Sequence, residues 1–103
     1  MYLLNFYVPK SHLEAVKEAI FAKGAGEFGD YKNCCWQTQG QGQFLPTQGS
    51  HPYTGERHEL STVSEFKVEM IIKDDSIKEV IMALKQAHPY EEVAYQVIPV
   101  VDV

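Results

Sequence analysis

Apolar residues alternate with polar ones along several parts of the chain, and this pattern predicts four strands. In residues 2–8 every second side chain could share one apolar face before Pro9 ends the segment. The stretch "SEFKVEMIIKDD" (64–75) alternates in the same way and predicts a half-buried strand. Residues 30–39 and 92–101 are rich in aromatic and β-branched residues and predict the other two. Pro99 removes a ladder donor, which places the last strand at an edge or at a bulge.

Two further segments carry apolar residues at helical spacing. Residues 11–24 predict a first helix, in which Ser11 and Glu14 form a capping box. Residues 75–88 predict a second helix, capped by Asp75 or Ser76. The apolar stripes are Leu13, Val16 and Ile20 in the first helix, and Ile77, Val80, Ile81 and Leu84 in the second.

The two halves of the chain resemble each other. Aligning Leu13 with Ile77 also aligns Val16 with Val80, Ala19 with Ala83, Ile20 with Leu84 and Tyr31 with Tyr95. A duplicated β-α-β unit predicts an α+β, ferredoxin-like fold, with a four-stranded antiparallel sheet and both helices on one face. The length of 103 residues fits a single such domain, residues 1–103.

The sheet face without helices must meet water or a partner. Leu3, Tyr7 and Ile71 lie on the strand faces opposite the predicted core stripes. Exposed apolar patches often mark interfaces, so we expect a homo-oligomer.

The segment 40–61 interrupts this regular pattern. It is rich in glycine and proline and poor in apolar residues, and it predicts a long irregular excursion or a loose hairpin. Long loops in a compact domain are often functional. The backbone N–H groups around Gly40 and Gly42 could cradle an anion, although a flexible hairpin tip is the simpler interpretation. Phe44 and Pro46 would then pin that tip, and we expect another subunit to be what they contact.

Composition and charge exclude several classes of function. The chain is 45% hydrophobic with a net charge of −5, and it contains no run rich in lysine or arginine. A nucleic-acid partner is therefore not expected, because binding requires cations that displace phosphate counterions. No apolar run reaches the roughly 20 residues of a membrane span. The N-terminus lacks the basic region and cleavage site of a signal peptide, so we expect a cytoplasmic protein.

The stretch "HPYEE", residues 88–92, is the least generic in the chain. His88 could act as a base or a ligand, with Glu91 or Glu92 as the carboxylate and Tyr90 beside them. The structural interpretation is favoured: Pro89 forces His88 out of the helical conformation, so the helix ends there. A histidine at a helix C-terminus also suits the helix dipole.

Three histidines form a second hypothesis. If the segment 40–61 folds over the end of the second helix, His51, His58 and His88, or a subset of them, could bind a divalent metal such as Zn or Cu. A neighbouring subunit could supply some of the ligands. The spacing of His51 and His58 fits no standard metal signature, and solvent-exposed histidines are the simpler interpretation.

Cys34 and Cys35 are adjacent and do not form a CxxC motif. Neighbouring strand residues point to opposite faces, so we expect two free thiols, one inward and one outward. A nucleophile pair with a histidine is the less favoured alternative to small buried side chains.

Several short elements in a fixed order resemble one known family. The matching elements are Gly29 and Tyr31, Gly40-x-Gly42-x-Phe44-x-Pro46, Gly49-x-x-Pro52-x-x-Gly55-x-x-x-x-Leu60, and His88-Pro89-Tyr90-Glu91-Glu92 with Ala94-Tyr95. Together they resemble the inserted domain of the dinuclear-metal, NIF-three-like proteins of the YqfO type. The resemblance covers essentially the whole chain.

This resemblance implies a fold similar to the CutA and PII proteins, which are ferredoxin-like and usually trimeric. It favours a trimer over a dimer. The dinuclear metal centre of the large relatives lies in a separate domain whose motifs have no counterpart here. Their hydrolase activity is therefore not expected of this chain.

The motifs favour a non-catalytic oligomeric module that binds a small ligand or metal at a subunit interface, near residues 40–61 and the His88 turn. No nucleophile–base pair, phosphate loop or strong metal motif is present. The alternatives are a small enzyme that uses His88 and Glu91 as acid and base, and a purely structural assembly unit.

Overall fold

The computed structural model describes residues 1–103 and contains four strands and two helices. Their order is β1, α1, β2, β3, α2 and β4, as the alternation predicted. The bounds are Tyr2–Val8 for β1, Lys10–Phe21 for α1, Trp36–Phe44 for β2, Ser61–Ile72 for β3, Ile77–Ala87 for α2 and Tyr95–Pro99 for β4.

The strands form one antiparallel sheet in the order β2-β3-β1-β4. This is the ferredoxin-like topology that the duplicated pattern predicted. β4 lies at an edge, which confirms the interpretation of Pro99. None of the helices is long and apolar enough to cross a membrane.

The core lies between one face of the sheet and the two helices. Leu4, Phe6 and Val8 of β1 are completely buried, and their β3 partners are Met70, Val68 and Phe66. The helices contribute the fully buried residues Val16, Ile20, Val80 and Leu84. Burying one such side chain stabilises the fold by roughly 1.5–3 kcal/mol. The predicted stripes of β1, β3 and both helices are therefore confirmed.

The predicted capping box at Ser11 is wrong. α1 begins at Lys10, and its N-cap is Pro9, whose backbone is extended. No side chain forms a capping hydrogen bond at this end of the helix. The Pro9 carbonyl already accepts the N–H of His12 at 3.0 Å, which places Ser11 inside the first turn. The Ser11 hydroxyl lies 2.8 Å from His12 Nδ1 instead of capping the helix.

The second strand begins later than predicted, at Trp36 rather than at residue 30. The preceding residues form a tight loop, in which the Gly26 carbonyl accepts the Cys34 N–H at 2.8 Å. Gly26 has a φ of +74°, and a Cβ there would meet the Cys34 carbonyl 2.6 Å away. Asn33 is also left-handed, with a φ of 58°, so an extended strand cannot run through it. Tyr31 consequently does not correspond to Tyr95 of β4.

β2 and β3 continue beyond the rest of the sheet. β1 pairs with β3 only from Phe66 onward, so residues 61–65 pair with residues 40–44 alone. We call this two-stranded extension the ribbon. It contributes to an elongated molecule of 46 × 25 × 24 Å. The irregular segment is correspondingly shorter than predicted, and we call its residues 45–60 the cavity loop.

Candidate functional site

The His88 turn, residues 88–92, begins where α2 ends. His88 has extended backbone angles of −75° and 140°, as expected for a residue that precedes proline. Its side chain is only 6% exposed. Its Nε2 lies 2.7 Å from the carbonyl oxygen of Tyr7, and its Nδ1 accepts the N–H of Tyr90 at 3.1 Å. β4 pairs with β1 only as far as Phe6, so the Tyr7 carbonyl of β1 has no partner in β4 and bonds to His88 instead.

These two hydrogen bonds define the chemical state of His88. Nδ1 accepts a proton from a backbone amide, so we assign the ring proton to Nε2, which donates to Tyr7. Burial lowers the pKa of His88; the Tyr7 hydrogen bond opposes this shift and the nearby charge of His12 adds to it. A neutral imidazole with both nitrogens occupied holds the turn in place. It has no free nitrogen for a metal or for proton transfer.

The cavity loop folds back onto this turn. The backbone N–H of His51 donates to Glu91 Oε1 at 2.7 Å. The Tyr90 ring lies 6.1 Å from the Tyr53 ring and 6.3 Å from the Phe44 ring, measured between centroids. These contacts bring the loop to the end of the second helix, and Phe44 is pinned within its own chain.

Arg57 fastens the loop internally. Its Nε donates to the Ser50 carbonyl at 2.6 Å, and its Nη2 lies 3.0 Å from His51 Nδ1. Because a guanidinium is always a donor, His51 Nδ1 acts as the acceptor. The His58 N–H donates to the Pro46 carbonyl at 2.6 Å, with His58 itself left-handed. The irregular segment thus has a defined shape.

The three predicted metal ligands do not converge within the chain. His88 is engaged with backbone groups, and His51 faces the Arg57 guanidinium. His58 lies exposed on the cavity loop. No group of three or more histidine, cysteine, aspartate or glutamate side chains is placed to hold a metal ion. The hypothesis of a three-histidine site in one chain is therefore not supported.

The cysteines are two free thiols, as predicted. Cys35 packs against the core cluster, whereas the Cys34 Sγ lies 3.8 Å from the Lys32 carbonyl. Both precede β2 and are remote in sequence and in contacts from the His88 turn.

A cavity of about 340 Å³ lies between the ribbon, the cavity loop and the His88 turn. Tyrosine and phenylalanine rings from β1, β2, the cavity loop and the His88 turn line it, together with three carboxylates. The aromatic residues are Tyr7, Phe44, Tyr53 and Tyr90, and the acidic residues are Glu65, Glu91 and Glu92. Its size falls within the usual range for small-molecule sites.

Glycine in the ribbon makes room for one of these carboxylates. Glu65 lies above Gly42, and a Cβ at that position would collide with the carboxylate of Glu65. At Gly40, by contrast, a Cβ would meet nothing within 4 Å. Both glycines lie inside β2 rather than in a loop, about 7 Å apart at ~3.3 Å per strand residue. At this spacing their N–H groups cannot both contact one oxygen, so the anion cradle, the less favoured interpretation of the sequence, gains no support.

The charged side chains that line the cavity are all acidic. No lysine, arginine or histidine lines it. None of its three carboxylates belongs to an ion pair of the chain. Burial raises the pKa of Glu65 above 4.5. The pKa of Tyr90 is also raised, by burial first and then by the neighbouring Glu65 and Tyr53.

Sequence patterns indicated part of this site and missed the rest. Tyr90, Glu91 and Glu92 line the cavity as predicted candidates, whereas His88 only supports it. Glu65, Tyr7 and Tyr53 were not predicted. Glu65 occupies an ordinary polar position of an alternating strand, and only its register opposite Gly40 and next to Gly42 distinguishes it.

Comparison with solved structures defines the class of fold. CutA1 from Pyrococcus horikoshii superposes with a TM-score of 0.73 at 16% identity, covering 100% of this chain and 86% of that one. The CutA protein from Archaeoglobus fulgidus gives a TM-score of 0.71 at 15% identity, covering 100% and 87%. The chain therefore has the CutA/PII-like fold.

Sequence comparison defines the kinship more narrowly, although no family model matches the chain. The GTP cyclohydrolase 1 type 2 homolog of Bacillus subtilis is 42% identical over 97 residues, 94% of this chain and 26% of the relative. Its Halalkalibacterium halodurans counterpart is 37% identical over 99 residues, 96% of this chain and 27% of the relative. A Bacillus cereus protein related to NIF3 superposes with a TM-score of 0.85 at 37% identity, covering 98% of this chain and 26% of that one.

The chain is thus a homologue of the inserted domain of the NIF3-related GTP cyclohydrolase 1 type 2 homologues. It spans about a quarter of the length of the relatives it matches. The resemblance drawn from the glycine, proline and "HPYEE" elements is confirmed.

Proposed function

We propose that this chain is a non-catalytic, oligomeric binding module that holds a small ligand in the cavity beside the His88 turn. The cavity itself carries this proposal. Two of its walls, the ribbon and the cavity loop, are continuous in sequence, and the third is the His88 turn, which follows α2. Glu91 accepts the His51 N–H and His88 donates to the Tyr7 carbonyl, and these hydrogen bonds hold the loop and the turn in place. A preformed concave site with few polar groups is the usual form of a small-molecule site.

The arrangement of the titratable groups argues against catalysis. A general acid–base pair needs a group with a free position near the reacting atom. His88 has none, so it cannot form such a pair with Glu91, whose Oε1 accepts the His51 N–H. The enzymatic alternative with His88 and Glu91 as acid and base therefore has no geometric support.

Three features support the oligomer. β2 is a nine-residue strand at the edge of the sheet, with one row of backbone groups unpaired. On the face without helices, Trp36 is 67% exposed. Asn5 lies on the same face, and its buried Oδ1 has no hydrogen-bond partner within the chain. CutA and PII relatives are usually trimeric, which favours a trimer over a dimer. Gln43 and Phe44 of β2 line the cavity, so a subunit paired there would border the ligand.

Native mass spectrometry and ligand-detected NMR test this proposal together. Protein purified without added metal should be a defined oligomer, with a trimer expected. A compound set sorted by charge should then contain ligands whose binding is lost in the Tyr90→Ala variant, which removes the central ring of the cavity. A bare monomer would contradict the oligomer, and a bare oligomer that binds no compound would indicate an assembly module instead. Elemental analysis of the same sample reports any bound Zn or Cu.

A further inference from the structure

The chemistry of the cavity wall restricts the ligand class. We propose that the cavity selects an organic cation, an ammonium group held against the Glu65 carboxylate and the faces of Tyr53 and Tyr90. This inference rests on the proposed function, because it names the ligand of the same cavity.

The cavity has no positively charged side chain to balance its carboxylates. Three carboxylates line the cavity, and neither a lysine, an arginine nor a histidine joins them. The only basic side chain of the cavity loop besides its histidines, Arg57, is turned to the Ser50 carbonyl and to His51. An anionic ligand such as a nucleotide would find no cation here and would face repulsion from the carboxylates.

Glu65 is a carboxylate of the cavity that is free to pair with a bound cation. Glu91 accepts the His51 N–H, so its carboxylate already forms a hydrogen bond with the cavity loop. Glu65 has no ion-pair partner, and it occupies the space that Gly42 leaves free. A carboxylate partly withdrawn from water and left unpaired is stabilised by a cation that reaches it.

Aromatic rings form much of the cavity wall. The Tyr53 and Tyr90 ring centroids lie 6.1 Å apart with the rings tilted by 47°, and the Phe44 ring lies 6.3 Å from Tyr90. Ring faces attract ammonium groups, and clustered rings form the cages that bind quaternary ammonium ligands. Rings and a carboxylate in one cavity together match a cation with apolar substituents.

The test uses matched ligands. Choline, putrescine and agmatine serve as cationic probes, and 3,3-dimethylbutan-1-ol serves as the uncharged isostere of choline. Isothermal titration calorimetry on the intact oligomer should show at least one cation bound at least tenfold more tightly than the neutral isostere. Equal or weaker binding of all three cations would overturn the proposal.

Matched variants locate the binding. Glu65→Gln should weaken cation binding about tenfold, whereas Glu59→Gln, which removes the same charge from the cavity loop outside the cavity, should change it little. Gly42→Ala keeps every charge but displaces the Glu65 carboxylate, so it should also weaken binding. Gly40→Ala, where a Cβ meets nothing within 4 Å, is its control. If the two glutamate variants lose affinity equally, the attraction is a general effect of net charge and the site is wrong.

The outcome separates this inference from the proposed function. Neutral or anionic compounds that bind and depend on Tyr90, while cations do not, would overturn the cation selectivity and leave the binding module intact. No binding by any compound would overturn both. Circular dichroism of each variant confirms that its fold is retained.

Discussion

The helix-covered face of the sheet and the cavity are built on different principles. The core consists of side chains such as Phe6 and Ile20 that are completely buried and recur at strand or helix spacing. The cavity consists of partly exposed residues from the ribbon, the cavity loop and the His88 turn, and one hydrogen bond and a few ring contacts join the loop and the ribbon to the turn. Periodicity specifies the first region, whereas individual pairings specify the second.

This difference separates stability from function along the chain. A core residue contributes through the area it removes from water, so its loss affects the whole molecule. A residue of the cavity contributes through position, so its loss affects the cavity first. The two regions meet at His88, which is buried with the core and bonded to the turn.

The largest expected effect lies in the core. Phe6→Ala should lower the free energy of unfolding by about 3–5 kcal/mol, because it leaves a cavity at a fully buried position. Tyr53→Ala, at a ring that is 57% exposed, should cost less than about 1 kcal/mol. Urea denaturation monitored by circular dichroism compares the two variants. Similar losses would contradict the separation of core and cavity.

Replacing His88 should give the next largest loss of folding stability. His88→Ala leaves the Tyr7 carbonyl and the Tyr90 N–H without their partner, at a cost of about 2–3 kcal/mol. It should also abolish ligand binding, because the turn loses its support. Ala87→Ser, a change at the neighbouring last residue of the helix, is a mild control for local disturbance. A His88→Ala protein of undiminished stability would contradict the structural role of this histidine.

The pH dependence of His88 follows from its lowered pKa. Burial makes the folded protein resist protonation below 6.5, the usual value, so the unfolded chain binds the proton more readily. The contribution of His88 is therefore complete above pH 6.5 and is lost as the pH falls through its lower folded pKa. The groups that face it, His12, Tyr7 and Tyr90, remain in a His88→Gln variant, which should lack this part of the profile. Thermal melts between pH 8 and pH 5 measure it.

Sequence patterns predicted the core well for a physical reason. Burial alternates with the strand and helix periods, so Leu4, Phe6 and Val16 could be assigned without knowing their neighbours. The end of α2 could also be predicted, because Pro89 acts on the residue directly before it. Local rules specify these features, and they are the ones that were confirmed.

One local rule was wrong, the capping box at Ser11, because α1 already begins at Lys10. The other features that were wrong or missed depend on contacts between separate segments. The start of β2 is set by the contact of Gly26 with Cys34, which overrides the strand-like composition of the residues before Trp36. The partnership of Gly42 and Glu65 depends on the register of β2 and β3, and that register is not encoded in either segment alone. Patterns therefore located the cavity's neighbourhood but not its central carboxylate.

The attachment of the cavity loop offers a smaller, local effect. Glu91→Ala removes the acceptor of the His51 N–H and should leave global stability within about 0.5 kcal/mol, since both residues are exposed. Amides of the loop should nevertheless exchange with deuterium about tenfold faster, because local opening costs less. Glu92→Ala removes an equally exposed carboxylate that accepts no hydrogen bond and should leave exchange unchanged. Equal protection in the two variants would show that the Glu91 contact does not hold the loop.

Replacing Glu65 should have the smallest effect on stability. Whether it stabilises or destabilises the protein shows whether this carboxylate already has a partner. The pKa of Glu65 is raised above 4.5 by burial, so the folded state holds the proton more tightly than the unfolded chain. Ionisation of Glu65 therefore destabilises the empty protein as the pH rises from 4.5 through the folded pKa. The other titratable groups that line the cavity are the same in both proteins compared, namely Tyr7, Tyr53, Tyr90, Glu91 and Glu92.

Glu65→Gln should consequently raise the melting temperature at pH 7 slightly and leave it unchanged below about pH 4, where both side chains are neutral. A bound organic cation should reverse the order at pH 7, because only the wild-type carboxylate gains a partner. Differential scanning calorimetry of the wild type and the variant, with and without choline, at pH 4 and pH 7 checks both signs. A variant less stable than the wild type in the empty state would mean that Glu65 is already satisfied within the chain. The Glu65 carboxylate would then stabilise the fold as well as bind the ligand. The distinction between a stabilising core and a binding cavity would not hold for this residue.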